Sequence, residues 1–541
     1  MVAWWKETVF YEIYIPSFYD ANNDGIGDLQ GVIQKLTYLK ALGVNGIWLT
    51  PFYESPKVDN GYDISDYYQV DAIYGNNEDL DLLIKKAHAL GMKIIIDMVL
   101  NHTSDQHEWF KASKLSKDNP QRDWYLWRPP NEDGGPPNNW ESFFGGSAWT
   151  FDEGTGEYYY HAFAKEQVDL NWANSAVKDV IYDMLRFWLN KGIDGFRLDV
   201  INFLTVNHDF KDNPINKDEQ EHLYDKDQPG VFAVIEEIVN LTKGYGDKFL
   251  LGEVGSEKFE VLIDYVQKAG LDAVFNFNLG SIHTLKAEKL YEELLKMDSN
   301  YAPQEWPTLF FGSHDMARHY SRFGQEGYHE AIARLMATFM LTAKGIPFLY
   351  FGEEIGMEDY LAQTQGEIRD IQALTAYELA KKKGATDAQA LVSANEKSRD
   401  KSRSTMDWAN EKNGGFTASS PWIGANAHRT NHPASVQMSD AKSLWSYYQK
   451  LIKLRINEPI LVAGNYDQIK LDDGVISYSR SLENRSLTVM LNVTDQLITA
   501  STISRAAKRV NQRCLLSSLR PVEEVDDRLL PYEACIYISE Q

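Results

Sequence analysis

Strand-like runs of apolar residues alternate with amphipathic helical segments along most of this chain. Segments of helical periodicity separate seven such runs: VNGIWLTP (44–51), MKIIIDMVLNH (92–102), GIDGFRLDVI (192–201), KFLLGEV (248–254), LDAVFNFNL (271–279), TLFFGSHD (308–315) and IPFLYFGEE (346–354). Continuous apolar runs are typical of parallel strands that are covered on both faces. Their alternation with helices indicates βαβ units, and eight such units would close into a barrel. We therefore predict an α/β fold built on a (β/α)8, or TIM, barrel.

Two regions interrupt this alternation. Residues 104–168, rich in Trp, Gly, Pro and Asn, follow the third strand and are too long for a simple strand-to-helix connection. From about residue 463 the pattern changes to short alternating runs such as VISYSRSL, which indicates antiparallel β-structure. We predict a barrel of residues 1–103 and 169–462, an inserted subdomain of residues 104–168 and a C-terminal antiparallel β domain of residues 463–541. Within the barrel, the polar residues 365–402 are expected to form an exposed helical excursion.

Composition excludes several classes of partner. The 54 Lys and Arg residues against 78 Asp and Glu residues give a formal net charge of −24, so we expect no nucleic-acid partner. The segment MVAWWKETVF lacks the basic and apolar regions of a signal peptide, and no window approaches 18 apolar residues, so we expect a cytoplasmic protein with no membrane partner. Cys514 and Cys535 provide neither a disulfide framework nor a metal-ligand cluster. The oligomeric state stays open, with a monomer favoured.

Polar residues collect where the predicted strands end. In barrels of this kind, functional side chains lie at the C-terminal ends of the strands. Arg197 and Asp199 are two positions apart in GFRLDVI, so both point to one face of their strand. Three carboxylates, Asp199, Glu253 and Asp315, are expected to converge there. The other polar residues at strand ends are Asp97, Asn101, His102 and His314.

Five segments resemble, in order, the signature regions of the α-amylase family of glycoside hydrolases: DMVLNHTS, QVDLNW, GFRLDVIN, LLGEV and GSHDMAR. Three further segments resemble the oligo-1,6-glucosidase and dextran glucosidase branch of that family: WWKETVFYEIYIPSFYDANNDGIGDLQGV, DNGYDISDY and SRDKSRSTMDW. Three positions depart from that branch. Ser313 stands where relatives commonly carry Asn, and Ala317 and Val168 stand where they carry Pro; the charged groups of the motifs are all present.

The resemblance implies a retaining glycosidase, which pairs a nucleophilic carboxylate with an acid/base carboxyl group about 5 Å away. It assigns Asp199 as the nucleophile, Glu253 as the acid/base and Asp315 as the residue that binds sugar hydroxyls in the transition state, with no cofactor for catalysis. Arg197 would keep Asp199 ionised, because a neighbouring positive charge lowers the pKa of a carboxyl group. Glu253 must stay protonated, so we expect its surroundings to raise its pKa.

The family also implies a pocket closed around one terminal glucose unit of a small oligosaccharide substrate. The expected substrate contacts are His102 and His314 to hydroxyls, Asp59 and Arg318 at the non-reducing end, Tyr62 stacked beneath the ring, and Phe163 and Gln167 along the wall.

The segment DANNDGIGD spaces oxygen ligands as in an EF-hand-like loop, with Gly25 at the sharp turn. One structural Ca²⁺, or Mg²⁺, is therefore expected on Asp20, Asn22, Asp24, the Ile26 carbonyl and Asp28. The twelfth loop position is Gly31, where an EF-hand has a bidentate Glu, so an ordinary turn rich in Asp and Asn stays the alternative.

Val200, directly after the expected nucleophile, bears on which sugar bond is cleaved. In this branch Val at this position resembles enzymes that cleave α-1,6 bonds, whereas Thr or Ala accompanies α-1,4 preference; Val is also simply a common buried strand residue. We predict an exo-acting α-glucosidase for isomaltose and short isomalto-oligosaccharides.

Several other functions stay open. Trehalose-6-phosphate hydrolases share the DVIN context, and an α-1,4-glucosidase is a further alternative. Sucrose isomerases are disfavoured because their RLDRD signature is absent here. A non-catalytic binding barrel is the remote alternative, and the full set of carboxylates argues against it.

Overall fold

The computed structural model describes residues 3–217, 219–256, 258–425, 432–499 and 513–540. Its main sheet has eight parallel strands: β1 (Phe10–Ile13), β2 (Gly46–Leu49), β3 (Lys93–Val99), β4 (Gly195–Asp199), β5 (Phe249–Gly252), β6 (Ala273–Val274), β7 (Thr308–Leu309) and β8 (Ile346–Tyr350). They pair in the order β6-β5-β4-β3-β2-β1-β8-β7. The predicted barrel is thus confirmed. Seven strands lie within the predicted apolar runs, and β1 was missed because it follows no helical segment.

The barrel closes between β6 and β7 through a side chain. The hydroxyl of Thr308, in β7, accepts a hydrogen bond from the backbone N–H of Asn276 at 2.9 Å and donates to the carbonyl of Val274 at 3.1 Å. This hydroxyl satisfies backbone groups that a longer β6 would pair directly.

Helices surround the sheet, one after each strand: Leu29–Leu42, Asn77–Ala89, Ser175–Asn190, Val231–Lys243, Phe259–Gln267, Ala287–Asn300, His329–Thr342 and Leu444–Asn457. Their starts follow from local sequence. Asn76 and Asp79 form a reciprocal capping box, and the Asp28 side chain accepts from the backbone N–H of Gly31, so free N–H groups of the first turns are satisfied.

Aromatic side chains fill the part of the barrel interior towards the N-terminal ends of the strands. The ring of Phe10 (β1) stacks on those of Phe348 (β8) and Phe249 (β5), with centroids 4.7 and 5.4 Å apart. Because inward-facing residues recur every two positions, the next inward positions towards the C-terminal end are Glu12 on β1 and, on β3 and β4, Asp97 and Arg197. The interior therefore changes from aromatic to charged where the strands end.

The chain between β3 and its helix forms the expected insertion. Strands His102–Ser104 and Gln167–Asp169 pair antiparallel at its base, and a small sheet comprises Trp127–Arg128, Glu157–Tyr160 and Trp149–Asp152, beside the helix Glu108–Leu115. After β8, the predicted excursion contains two helices that pack on each other, Ile371–Lys382 and Asp387–Lys397.

The C-terminal strands form a five-stranded antiparallel sheet, in the order Asn465–Asp472, Val475–Leu482, Arg485–Asn492, Ala534–Glu540 and Arg513–Ser517. Shorter helices are Ile15–Phe18, Phe277–Gly280, His319–Phe323, Ala434–Gln437 and Pro459–Ala463. Short strand pairs are Tyr53–Glu54 with Asp66–Val70, Ile215–Asn216 with Glu219–Gln220, and Ile498–Thr499 with Arg528–Leu529. Within the described ranges, no helix combines the length and the apolar character needed to cross a membrane.

Candidate active site

One guanidinium group binds three carboxyl groups at the C-terminal end of the barrel. Nη1 of Arg197 lies 2.7 Å from Oδ1 of Asp97 and 2.5 Å from Oδ1 of Asp199, and Nη2 lies 2.5 Å from Oε2 of Glu253. Arg197 is buried, so its charge requires these partners. Arg197 and Asp199, two positions apart in one strand, therefore point to the same face, as the sequence predicts.

A second donor fixes Glu253. The backbone N–H of Val200 lies 3.2 Å from the same Oε2 that accepts from Arg197. Val200 adopts φ 37° and ψ 47°, in the left-handed region that β-branched residues rarely adopt. Since Oε2 accepts two N–H groups, one of them cationic, a proton on Glu253 resides on Oε1.

Burial sets the protonation of this carboxyl pair. It raises the pKa of Glu253 to about 8 and that of Asp199 to about 7, although the charge of Arg197 lowers the pKa of both groups. Arg197 lowers the pKa of Asp199, as expected, but the cost of burying the charge is the larger effect, so the pKa ends above its ordinary value. The contact of Asp199 to Arg197 favours its ionised form, as the role of nucleophile requires.

Asp315 completes the set of three carboxyl groups. Its Oδ1 accepts from Nη2 of Arg403 at 2.7 Å and lies 3.7 Å from Nη1 of Arg399. Burial raises the pKa of Asp315, but His314, Arg399 and Arg403 together lower it below its ordinary value. Its side chain is 33% exposed, so an ionised carboxylate is available to a ligand.

These groups face a cavity of about 150 Å³. The cavity brings together nine of the residues singled out in the sequence: Asp59, Tyr62, His102, Phe163, Gln167, Asp199, Val200, Glu253 and Asp315. Two more lie directly behind it, since Arg197 binds the two carboxyl groups and Nε2 of His314 lies 2.6 Å from the hydroxyl of Tyr62. Phe144, Gln372 and Arg399 complete the lining.

One expected contact is wrong. The structure places Arg318 outside the lining, where its guanidinium donates to the carbonyls of Phe351 and Ser402 at 2.7 and 2.8 Å. Arg399 takes the expected place instead, with Nη2 at 2.5 Å from Oδ1 of Asp59. The sequence contained a signal for this residue, because Arg399 belongs to the SRDKSRSTMDW segment.

The remaining lining residues hold one another in place. Nε2 of Gln167 donates to Oδ2 of Asp59 at 3.1 Å and lies 3.1 Å from Nε2 of His102. Burial lowers the pKa of His102 to about 4 and that of His314 to about 3. Both imidazoles are therefore neutral at neutral pH and act as hydrogen-bonding groups. Phe144 and Gln372 had no recognisable signal, since both lie in segments without strand or motif context.

The expected cation site is a hydrogen-bonded loop. Asp20 accepts from the backbone N–H groups of Asn23 and Gly25 at 2.7 and 2.8 Å, and Asp28 accepts from that of Gly31 at 2.6 Å. Oxygen donors of this kind suit Ca²⁺ in type. No group of three or more His, Cys, Asp or Glu side chains within the described ranges is arranged to hold a metal. The bound cation stays a prediction.

Residues 12–464 match the α-amylase catalytic domain. Together with the barrel and its full-length relatives, this match shows that the chain belongs to the α-amylase family and is a glycoside hydrolase. An oligo-1,6-glucosidase from Heyndrickxia coagulans is 38% identical over 564 residues, covering 100% of both chains. A trehalose-6-phosphate hydrolase from Bacillus subtilis (strain 168) is 38% identical over 552 residues, covering 99% of this chain and 98% of the relative. The structure of the isomaltulose synthase from Protaminobacter rubrum has a TM-score of 0.92 at 34% identity, covering 100% of both chains.

Proposed function

We propose that this glycoside hydrolase is a retaining, exo-acting α-glucosidase that cleaves α-1,6 bonds of isomaltose and short isomalto-oligosaccharides from the non-reducing end. The observation that supports it most directly is the pair Asp199 and Glu253, bound to one guanidinium at a small cavity that also contains the Asp59–Arg399 ion pair.

The shared guanidinium supports retention of configuration. Asp199 and Glu253 bind neighbouring nitrogens of Arg197, which sets the two carboxyl groups side by side. Retaining enzymes hold their carboxyl groups about 5 Å apart, whereas inverting enzymes leave about 6.5 to 9.5 Å to seat a water molecule between them.

The hydrogen bonds then define the two steps. Asp199, in its ionised form, attacks the anomeric carbon while Glu253 passes the proton on Oε1 to the departing glycosidic oxygen. Glu253, now ionised, takes a proton from a water molecule that cleaves the glycosyl ester of Asp199. Two inversions give glucose in the α configuration. Arg197 keeps its contacts to both groups and balances their charge throughout.

The size of the cavity supports cleavage of one terminal unit. A cavity of about 150 Å³ accommodates a single six-membered ring such as benzene. Asp59 and Arg399 present an ion pair to this space, with an acceptor and a donor for sugar hydroxyls.

The charges of the lining support an uncharged sugar as the terminal unit bound in this cavity. Among the described lining residues Arg399 is the one Lys or Arg. Its guanidinium is engaged by Asp59 and Asp370 at 2.5 Å, and it lies 3.7 Å from Asp315. Phosphate recognition uses free Arg or Lys donors, and the carboxylates of this cavity would repel a phosphate dianion carried by the terminal unit itself.

The linkage rests on Val200. Its branched side chain lines the cavity beside the nucleophile, where it would crowd the leaving sugar of an α-1,4 bond. The extra rotatable bond of an α-1,6 linkage lets that sugar move clear.

The test is a comparison of kcat/KM on isomaltose, panose, maltose and trehalose 6-phosphate, with NMR detection of the glucose anomer released first. We expect isomaltose to exceed maltose by about 10- to 200-fold, the scale of one steric contact, and α-glucose to appear first. Preference for maltose or trehalose 6-phosphate would overturn the α-1,6 assignment. Release of β-glucose would overturn retention.

A further inference from the structure

A buried carboxyl group next to this site has no part in the steps above. Glu12, on the inner face of β1, is 1% exposed. Its Oε1 lies 2.6 Å from Nδ1 of His314 and accepts from the backbone N–H of the same residue at 3.1 Å. Glu12 therefore holds both the ring and the main chain of the residue that precedes Asp315.

The hydrogen positions on His314 follow from a series of contacts that begins at Asp97 and reaches His314 through Tyr62. Asp97 is ion-paired with Arg197 at 2.7 Å, and an ionised carboxylate only accepts hydrogen bonds. The hydroxyl of Tyr62 lies 2.8 Å from Oδ2 of Asp97 and 2.6 Å from Nε2 of His314. Its single proton goes to Asp97, so its oxygen must accept from His314. The hydrogen of His314 is therefore on Nε2.

Nδ1 of His314 then needs a hydrogen-bond donor, and Glu12 is the group beside it. A neutral imidazole with hydrogen on Nε2 has a lone pair on Nδ1, and a protonated Glu12 can donate to it. Burial raises the pKa of Glu12 well above its ordinary value and lowers that of His314 to about 3, which favours this neutral pair over an ion pair. If the proton moved from Glu12 to Nδ1, Nε2 would still carry its hydrogen.

We propose that Glu12 is a positioning residue that fixes the Nε2–H form of His314 and directs that N–H to the sugar-binding side. Nε2 lies 3.4 Å from Oδ2 of Asp315, and Tyr62 lines the cavity. Without Glu12, Nδ1 has no donor and nothing holds the other side of the ring. The Nε2–H is then no longer fixed between the hydroxyl of Tyr62, Asp315 and the sugar-binding side. The proposal rests on the glycosidase function proposed above and not on the linkage.

Two variants separate this role from simple packing. Glu12→Met keeps an unbranched side chain without hydrogen bonds, whereas Glu12→Gln can place an amide N–H at Nδ1 in place of Oε1 and gives up the weaker contact to the main-chain N–H. The matched control is Glu354, another buried carboxyl group, which accepts from the hydroxyls of Tyr11 and Tyr38 at 2.8 and 2.5 Å and does not line the cavity.

The measurements are Tm and kcat/KM on 4-nitrophenyl α-glucoside. We expect Glu12→Met to lower kcat/KM by about 10- to 100-fold, the scale of a misplaced group. Glu12→Gln should stay within about threefold of wild type, close to assay resolution. Glu354→Met and Glu354→Gln should lower Tm while folded enzyme keeps its kcat/KM. The proposal is wrong if Glu12→Met is as active as wild type, or if Glu12→Gln is as impaired as Glu12→Met.

A spectroscopic measurement covers the case in which Glu12→Met does not fold. In wild type labelled with ¹⁵N-histidine, the ring signals that disappear in His314→Gln belong to His314. We expect a protonated Nε2 and an unprotonated Nδ1, and the opposite tautomer would overturn the proposal. This readout needs no turnover, so a wild type inactive on α-glucosides would overturn the proposed function without deciding the role of Glu12.

Discussion

The main-chain N–H of Val200 donates to Oε2 of Glu253 across 3.2 Å, so the residue after the expected nucleophile also holds the expected acid. This contact requires the left-handed backbone of Val200, which costs on the order of 1 to 3 kcal/mol in a non-glycine residue. The carbonyl of Val200 accepts from Phe203 and that of Glu253 accepts from Ile201, both at 3.0 Å. These hydrogen bonds of the turn therefore stabilise the left-handed backbone of Val200, and its side chain faces the cavity.

Val200→Thr should raise activity on maltose relative to isomaltose without abolishing isomaltose hydrolysis. Thr keeps the branched shape and the backbone contact to Glu253, and adds a hydroxyl that can bind the leaving sugar. The ratio of the two kcat/KM values is expected to change by about 10-fold, within the range of a single side-chain contact. Val99→Thr, at the buried end of β3 and outside the lining, should change Tm but not the ratio. An unchanged ratio in Val200→Thr would remove Val200 as the linkage determinant.

Arg399→Lys and Arg318→Lys should have different effects. Arg399 binds Asp59 at the cavity, and the single ammonium group of Lys cannot reproduce the planar guanidinium geometry of Arg. We therefore expect kcat/KM to fall by about 10²-fold. Arg318 binds main-chain carbonyls outside the cavity, so its loss should lower Tm and leave the folded enzyme active. Equal losses of kcat/KM would mean that the cavity, as described, omits a substrate contact of Arg318.

The profile of kcat/KM against pH should be bell-shaped. Activity requires Asp199 ionised and Glu253 protonated, so it should fall as pH decreases through the pKa of Asp199, about 7, and as pH rises through that of Glu253, about 8. Glu253→Gln should remove the basic limb, and Asp199→Ala should lower kcat by roughly three powers of ten or more. Asp194→Asn, directly before the same strand, is the control for folding. More than about a tenth of wild-type kcat in Asp199→Ala would disprove its role as nucleophile.

Glu353 should make the fold less stable as pH rises. Burial raises its pKa to about 8, although hydrogen bonds from Tyr350 and Tyr448 lower it, against about 4.3 in an unfolded chain. Because the folded state binds the proton more tightly, this stability is complete below about pH 4 and is lost as pH rises through about 8. Glu353→Gln should therefore show a smaller fall in Tm between about pH 5 and 8. Glu330→Gln, on an exposed helix face, should follow wild type.

Calcium should stabilise the loop of Asp20 and Asp24 without entering the chemistry. A cation that binds only the folded state raises stability by mass action, so chelation is expected to lower Tm more than kcat. Asp24→Asn should abolish the response of Tm to added Ca²⁺, whereas Asp247→Asn should not. A crystal structure from calcium-containing buffer with only water in this loop would count decisively against the site.

The sequence by itself determined the barrel and most of its functional end. Apolar runs specify buried parallel strands whichever helix covers them, and the period of two places Arg197 and Asp199 on one face. Strand ends of a parallel barrel lie on one rim, so Asp199, Glu253 and Asp315 had to meet. The strand β1 was missed because no helical segment precedes it to mark a βαβ unit, and Glu12 was missed with it.

Only the tertiary structure decided which cation binds Asp59 and in which direction the pKa of Asp199 is shifted. Arg318 and Arg399 are 81 residues apart, and this spacing does not predict where the excursion after β8 packs. In the folded chain Arg399 binds Asp59, whereas Arg318 binds main-chain carbonyls. The sequence showed that Arg197 stands beside Asp199, and from this a lowered pKa of Asp199 was expected. Burial depends on every neighbour in space, and it outweighed that one charge and raised the pKa instead.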